Sequence, residues 1–313
     1  MMHRDRARVL RWAAMTRRRH RAAGAVLRAV APVLPRVRPP EAPVFILGSP
    51  RSGTTMLFQL LDRSRRLASL GYGSQFLWEM YRPREIVPGR SHAAGPADIT
   101  EHERRVLAWA IDRVAGPTTY LDKFPRMVLR AEFLHALYPD ARFVYIARDG
   151  RAAVSSLITG WRTEGKFGRG TRLPVPLDIR DHPAAVWKFL LPPGWEEYAS
   201  GRTLAEVCAF QWMEGNRAVL DARERIGRDR FIDVRYEELV ESPMETTAAM
   251  LDALGLAGDP DVLDHAGALD RKVTHTAVTP PQRDKWRHEN PAEIESILPM
   301  IAPMMQRLGY PAG

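Results

Sequence analysis

Residues 44–61 read VFILGSPRSGTTMLFQLL. Val44 to Leu47 is a short apolar run with the character of a buried strand. Gly48-Ser49-Pro50-Arg51-Ser52-Gly53-Thr54-Thr55 is a turn-forming octet, and Met56 to Leu61 resumes apolar residues as a helix. Strand, tight loop and helix together open a βαβ unit, in which the backbone N–H groups at the helix start form a cradle for an anion. The same grammar returns at Arg142–Ala147, followed by a helix from about Arg151, and again at Arg230–Val234. Apolar strands separated by helical segments predict an α/β fold, a P-loop-like three-layer domain with a central parallel sheet flanked by helices.

The octet nearly spells a nucleoside-triphosphate loop. In that motif the second glycine is followed by a lysine for the β- and γ-phosphates and then by a hydroxyl for magnesium. Here Thr54 holds the lysine position and the basic residue, Arg51, has moved inside the loop. The strand ending at Ala147 is followed by Arg148 rather than by the aspartate that helps hold magnesium. Such a loop suits a phosphate or sulfate group better than a γ-phosphate with its metal.

The chain has 313 residues, enough for one large α/β domain, with 45% hydrophobic and 27% charged residues, so disordered and fibrous classes fit poorly. Its formal net charge of +9 is concentrated at one end. Residues 1–40 hold eleven arginines and one acid, Asp5, whereas the remainder is nearly neutral, with 35 bases and 36 acids. A basic N-terminal extension (1–40) therefore precedes a domain spanning 41–313, and nucleic-acid binding by that domain loses its support. The extension alternates arginine with apolar residues, which suits either a solvated tail or a basic amphipathic helix in peripheral contact with an anionic membrane. Cys208 is the only cysteine, so an intrachain disulfide and a cysteine-based zinc cage are both excluded. No run is apolar enough to span a bilayer, and Arg28 interrupts the one signal-like stretch, so a cytoplasmic location is expected.

Thr203 and Glu206 form a capping-box pattern that predicts a helix start. Between residues 160 and 201 the texture changes to a Trp-, Pro- and Gly-rich insertion containing Trp161, Trp187 and Trp195. It reads as a covering loop rather than sheet, and its aromatic faces suggest an apolar or sugar-like ligand. His135 reads as a packing or capping residue and Cys208 as a small buried hydrophobe. Glu237 and Glu238 belong to the start of a helix.

Several of these stretches, in order, resemble the sulfotransferases that use 3′-phosphoadenosine 5′-phosphosulfate (PAPS). PVFILGSPRSGTTML is similar to that family's 5′-phosphosulfate loop and RFVYIARDGRAAVSSLI to its 3′-phosphate motif. FIDVRYEELVESP resembles a later strand-and-helix segment. LDKFPR and DKWRHENPAEIESILPMIAPMMQRLGY resemble segments of the tyrosylprotein branch. The resemblance runs from about Pro43 to Tyr310 and implies the sulfotransferase fold. It also implies roles. Arg51 would contact the bridging or sulfuryl oxygens, while Ser52, Gly53, Thr54 and Thr55 would cradle the 5′-phosphate. Arg148 and Ser156 would grip the 3′-phosphate, a pairing of guanidinium fork and hydroxyl that suits a phosphate. Tyr236 and Lys285 match cofactor-contacting positions, and Lys123 matches the lysine that supports transfer. PAPS would be the donor, and no metal is required.

The general base is where the sequence departs from the family pattern. The tyrosylprotein branch carries a glutamate in the region aligned with Gly71 to Gln75, which holds no acid here, and Pro125 replaces the histidine of the cytosolic branch. The nearest acid is Glu79, taken as the candidate base, with His92 and His102 as weaker alternatives on a polar stretch. The reading is sulfuryl transfer to a hydroxyl or amine of a small-molecule, lipid or glycan acceptor. Two other classes stay open: a P-loop nucleotide or small-molecule kinase, and a non-catalytic nucleotide-binding protein.

Overall fold

The computed structural model describes residues 17–71, 74–82, 85–165, 170–269 and 285–311. The ordered elements are α1 (Arg17–Val30), β1 (Val44–Leu47), α2 (Thr54–Leu61), β2 (Leu67–Ala68), α3 (Gln75–Glu79), α4 (Glu101–Ala115), β3 (Thr119–Asp122), α5 (Ala131–Leu137), β4 (Arg142–Ala147) and α6 (Gly150–Arg162). They continue with β5 (Asp178–Ile179), β6 (Ser200–Arg202), α7 (Leu204–Ile226), β7 (Phe231–Arg235), α8 (Tyr236–Glu241), α9 (Pro243–Ala253), α10 (Pro260–Ala266), α11 (Trp286–Glu289) and α12 (Pro291–Arg307).

Five parallel strands form the main sheet in the order β2-β3-β1-β4-β7. Period-two alternation divides β1 and β4 between two cores. Val44, Ile46, Val144 and Ile146 pack toward α2, α8, α9 and α10, whereas Phe45, Leu47, Phe143 and Tyr145 pack toward α4 to α7 and α12. Helices on both faces explain why β1 reads as an unbroken apolar run. The chain leaves β1 for the β2/β3 side and then returns to its other side at β4, so the carboxyl end of β1 lies at a topological switch point, where α/β sheets place their ligands.

Close backbone approaches fix that end of the sheet. A Cβ on Gly48 would lie 2.8 Å from the Ile146 carbonyl oxygen, and one on Gly215 of α7 would lie 2.5 Å from Ser49 Oγ. Ser49 Oγ also donates to the Trp212 carbonyl at 3.0 Å, so α7 seats directly against the turn after β1. The expected capping box is present: Thr203 caps α7 and the Glu206 carboxylate returns to the Thr203 N–H at 2.8 Å.

The insertion departs from the expected loop. It holds a small two-stranded parallel sheet, β5 with β6, and its tryptophans are core residues. Trp161, Trp187 and Trp195 are all 0% exposed, and their indole N–H groups donate to Gln211, to the Leu190 carbonyl and to the Arg90 carbonyl. Buried indoles with satisfied N–H groups offer no face to a ligand, so these tryptophans do not form the surface expected for an apolar or sugar-like acceptor.

The basic segment is also less separate than its charge suggests. Leu27 and Ala31 are buried in the core, α1 packs on α3 and α4, and Arg28 donates to the Met80 carbonyl. No helix among the described residues is long and apolar enough to cross a membrane.

Candidate active site

Four neighbouring strands each deliver a predicted site residue directly beyond their carboxyl ends. Lys123 follows β3, the Gly48–Thr55 turn carrying Arg51 follows β1, Arg148 follows β4 and Tyr236 follows β7. The Ser52 N–H donates to the Ser49 carbonyl at 3.1 Å, closing a turn with Pro50 second and Arg51 third. Arg51 has φ +72°, a left-handed conformation that costs a non-glycine residue about 1–2 kcal/mol. Gly53, at φ +97°, needs to be glycine twice over, because a Cβ there would also sit 2.6 Å from the Tyr236 ring.

These residues are joined to one another. Arg148 Nη1 donates to the Arg51 carbonyl at 2.8 Å, and its guanidinium lies 4.1 Å from the Tyr236 ring centroid. Arg51 Nε donates to Ser156 Oγ at 3.1 Å, and Lys123 Nζ donates to Thr55 Oγ1 at 3.0 Å. Two guanidiniums and an ammonium therefore gather around one βα turn. Burial and the nearby Arg148 cation bring the Arg51 pKa down to about 10, against a smaller opposing effect of Tyr236. Burial brings Lys123 down to about 8, with Asp122 opposing and Arg51 adding to the shift. Ser52 Oγ and Arg148 Nε are buried without a hydrogen-bond partner among the described residues. A buried donor in that state costs free energy until an acceptor arrives.

Asp122 was not singled out in the sequence, yet it anchors the lysine. Its carboxylate is 1% exposed and accepts from Ser74 Oγ (2.6 Å), Trp78 Nε1 (2.8 Å), Tyr120 OH (2.6 Å) and the Lys123 N–H (2.7 Å). One carboxylate thus ties α3, β3 and Lys123 together. Its burial pushes the carboxyl pKa up, and the four hydrogen bonds oppose that shift. The signal available in sequence was an acid ending an apolar strand immediately before Lys123.

The remaining predicted residues make contacts of their own. Lys285 stands at the start of α11 and pairs with Glu289 at 2.7 Å. Glu79, at the end of α3, faces a cleft of about 1080 Å³ and holds two arginines, Arg126 and Arg130, the latter at 2.7 Å. The cleft wall begins next to the turn region: Gln75 follows Ser74, Phe124 follows Lys123, and both line it. His92 is buried rather than on an open polar stretch. Its Nδ1 accepts from the Leu191 N–H at 3.0 Å, which leaves the proton on Nε2, 3.3 Å from Thr171 Oγ1. Burial among arginines holds its pKa well below the usual histidine value. His102 is exposed in the first turn of α4. Glu237 joins Asp149 to the C-terminal Tyr310, accepting from the Asp149 N–H at 3.0 Å and the Tyr310 OH at 2.7 Å. Cys208 is fully buried with its thiol pKa pushed up by burial, the environment of an inert packing residue. Among the described residues no three His, Cys, Asp or Glu side chains group to hold a metal ion.

This chain belongs to the sulfotransferase family, whose model matches residues 43–261. Protein-tyrosine sulfotransferase 2 of Gallus gallus is 25% identical to it over 289 residues, covering 85% of this chain and 69% of that protein. Nodulation protein NoeE of Sinorhizobium fredii is 27% identical over 301 residues, covering 85% of this chain and 65% of that protein. Among solved structures, sulfotransferase STF9 from Mycobacterium avium superimposes with a TM-score of 0.52 at 19% identity, covering 96% of this chain and 84% of that one. The sulfotransferase domain from the curacin biosynthetic pathway gives 0.51 at 16% identity, covering 87% and 99%. Family and fold together make the protein a sulfotransferase.

The depressed pKa of Lys123 has a consequence for stability. The folded state holds this proton less tightly than the unfolded chain, so the charge costs stability in full below about pH 8, and the cost fades as pH rises toward 10.5. Discounting for the partial exposure of the side chain, Lys123→Met is expected to stabilise the fold at neutral pH by about 1–2 kcal/mol. The gain should vanish near pH 10.5. Denaturant unfolding across pH measures it, and a loss of stability at every pH would make the lysine a structural residue instead.

Proposed function

We propose that the donor is PAPS and that its sulfuryl group passes to a hydroxyl or amine of a small-molecule, lipid or glycan acceptor bound in the cleft beside Glu79. The observation that carries this reading is the delivery of Lys123, Arg51, Arg148 and Tyr236 from four adjacent strand ends to one turn. Two buried donors, Ser52 Oγ and Arg148 Nε, have no acceptor among the described residues, which fits a bound polyanion. Thr54 in place of the P-loop lysine weighs against a kinase.

In this reading Ser52 to Thr55 hold the 5′-phosphate at the start of α2. Arg148 and Ser156 hold the 3′-phosphate, and Tyr236 and Lys285 add further contacts to the nucleotide. When bound, the donor supplies an activated sulfuryl group whose leaving group is a phosphate. Arg51 and Lys123 offset the negative charge that grows on that phosphate, and this kind of preorganised charge is commonly worth about 100-fold or more in rate. The acceptor gives up a proton as its oxygen or nitrogen bonds to sulfur, and in this reading the Glu79 carboxylate receives it. Its two guanidinium partners favour a second role, as the clamp that holds Arg126 and Arg130 in the cleft wall.

Transfer from radiolabelled PAPS to a panel of hydroxylated and amino acceptors tests the reading. Lys123→Ala should lower kcat by about 100-fold or more. If Glu79 is the base, Glu79→Gln lowers kcat about 100-fold with KM little changed, whereas a clamp raises KM and spares kcat. A wild-type protein that binds the donor's nucleotide and modifies no acceptor would instead support the non-catalytic reading.

Peripheral membrane contact through the basic N-terminal segment forms part of the same proposal, supported by its eleven arginines against one acid. Because Leu27 and Ala31 are built into the core, the test removes only residues 1–15. Sedimentation with phosphatidylglycerol vesicles should fall in that variant, which loses four of the eleven arginines. Equal sedimentation of both proteins would remove the segment from any membrane role.

A further inference from the structure

The cleft beside Glu79 carries more positive charge than its walls neutralise. Among the described residues, six arginines line it against three carboxylates, those of Glu79, Glu85 and Asp98. Glu79 is taken by Arg126 and Arg130, and Asp98 accepts from the Gly95 N–H at 2.7 Å. Arg82 pairs with Glu103, and Arg28 donates to a carbonyl. Arg90 and Arg172 are exposed at the mouth, and neither makes an ion pair with a described residue. Glu85 is the lining acid that remains to oppose them.

The two mouth arginines stand on lips that are fastened together. Thr171 forms a two-way backbone bridge with Trp187 (2.7 and 2.9 Å), and its hydroxyl meets His92 Nε2 at 3.3 Å. His92 is itself fixed by Leu191 through its N–H, at 2.8 Å, and through its ring. Arg90 precedes His92 by two residues and Arg172 follows Thr171, so a buried staple sets both charges at one opening. The Arg90 carbonyl is held in addition by the Trp195 indole at 2.8 Å. Charges carried on a fixed rim above low-dielectric walls focus the field into the cleft. Apolar side chains of Phe76, Met80, Ile86, Val87, Phe124 and Leu173 line the cleft alongside these charges.

Resting on the sulfotransferase reading above, we infer that the acceptor is an elongated molecule with its reacting hydroxyl at the inner end, an apolar body, and an anionic group at the outer end. Arg90 and Arg172 would receive that group, whether carboxylate, phosphate or sulfate ester, as two guanidinium forks suited to planar or tetrahedral anions. They select the acceptor and take no part in the transfer step.

Equilibrium dialysis of the full chain, saturated with adenosine 3′,5′-bisphosphate, tests this with two matched probe pairs. One is ω-hydroxydodecanoate and its amide, the other para-hydroxyphenylbutyrate and its amide. At low salt the acid of at least one pair should bind about tenfold more tightly than its amide, the size expected of two exposed ion pairs. That advantage should disappear in about 0.5 M salt and in the Arg90→Ala/Arg172→Ala variant, whose bisphosphate affinity should match wild type. Arg90→Glu/Arg172→Glu should turn the preference toward ω-aminododecanol. Equal affinities within both pairs, or binding of no probe by bisphosphate-loaded protein, overturns the inference while leaving the donor site standing. Failure to bind the bisphosphate overturns the donor reading as well, and the two failures are read separately.

Discussion

The organising constraint of this molecule is the crowding of like charge at the turn after β1. Arg51, Arg148 and Lys123 are brought from three different strand ends, and their burial and mutual repulsion lower the pKa values of Arg51 and Lys123. Nothing about packing requires that arrangement, since apolar side chains in those places would be cheaper to bury. The fold holds it in place with unusual backbone, including a left-handed Arg51 and a glycine pressed against the Tyr236 ring. Strain and repulsion of this kind are stored where a ligand is to relieve them.

The rest of the structure supplies the clamps. α7 presses Gly215 against Ser49, Asp122 gathers four donors beneath Lys123, and Glu237 ties the Asp149 turn to the C-terminal Tyr310. A rigid frame lowers the reorganisation required when the donor binds, which is where preorganised sites gain their rate. The cleft beside Glu79 is built differently. Its wall is a chain of ion pairs and histidine contacts around Glu79 and His92, and its charge increases toward the rim.

Much of this was legible in the sequence, and the exceptions have physical causes. β1 and β4 were visible because strands covered on both faces must be continuously apolar, and the phosphate turn because glycines and hydroxyls sit at fixed places between strand and helix. β2 and β3 gave no such signal: β2 has two residues, and Thr119-Tyr120-Leu121-Asp122 ends in a carboxylate that looks exposed until its four partners assemble around it. The tryptophans of the insertion read as a ligand-binding surface because composition cannot tell a buried indole from a presented one. The fastening of Arg90 and Arg172 depends on contacts spanning 79 and 99 residues of chain, between Thr171 and His92 and between Leu191 and His92, which no local pattern encodes.

In the proposed function the crowded turn holds a bisphosphate nucleotide. Calorimetric binding of adenosine 3′,5′-bisphosphate, compared with ATP and magnesium, in wild type and Arg148→Ala tests it most directly. Tight bisphosphate binding that Arg148→Ala removes is expected, with magnesium-ATP bound far more weakly. Preference for magnesium-ATP, or bisphosphate binding indifferent to Arg148, would contradict it.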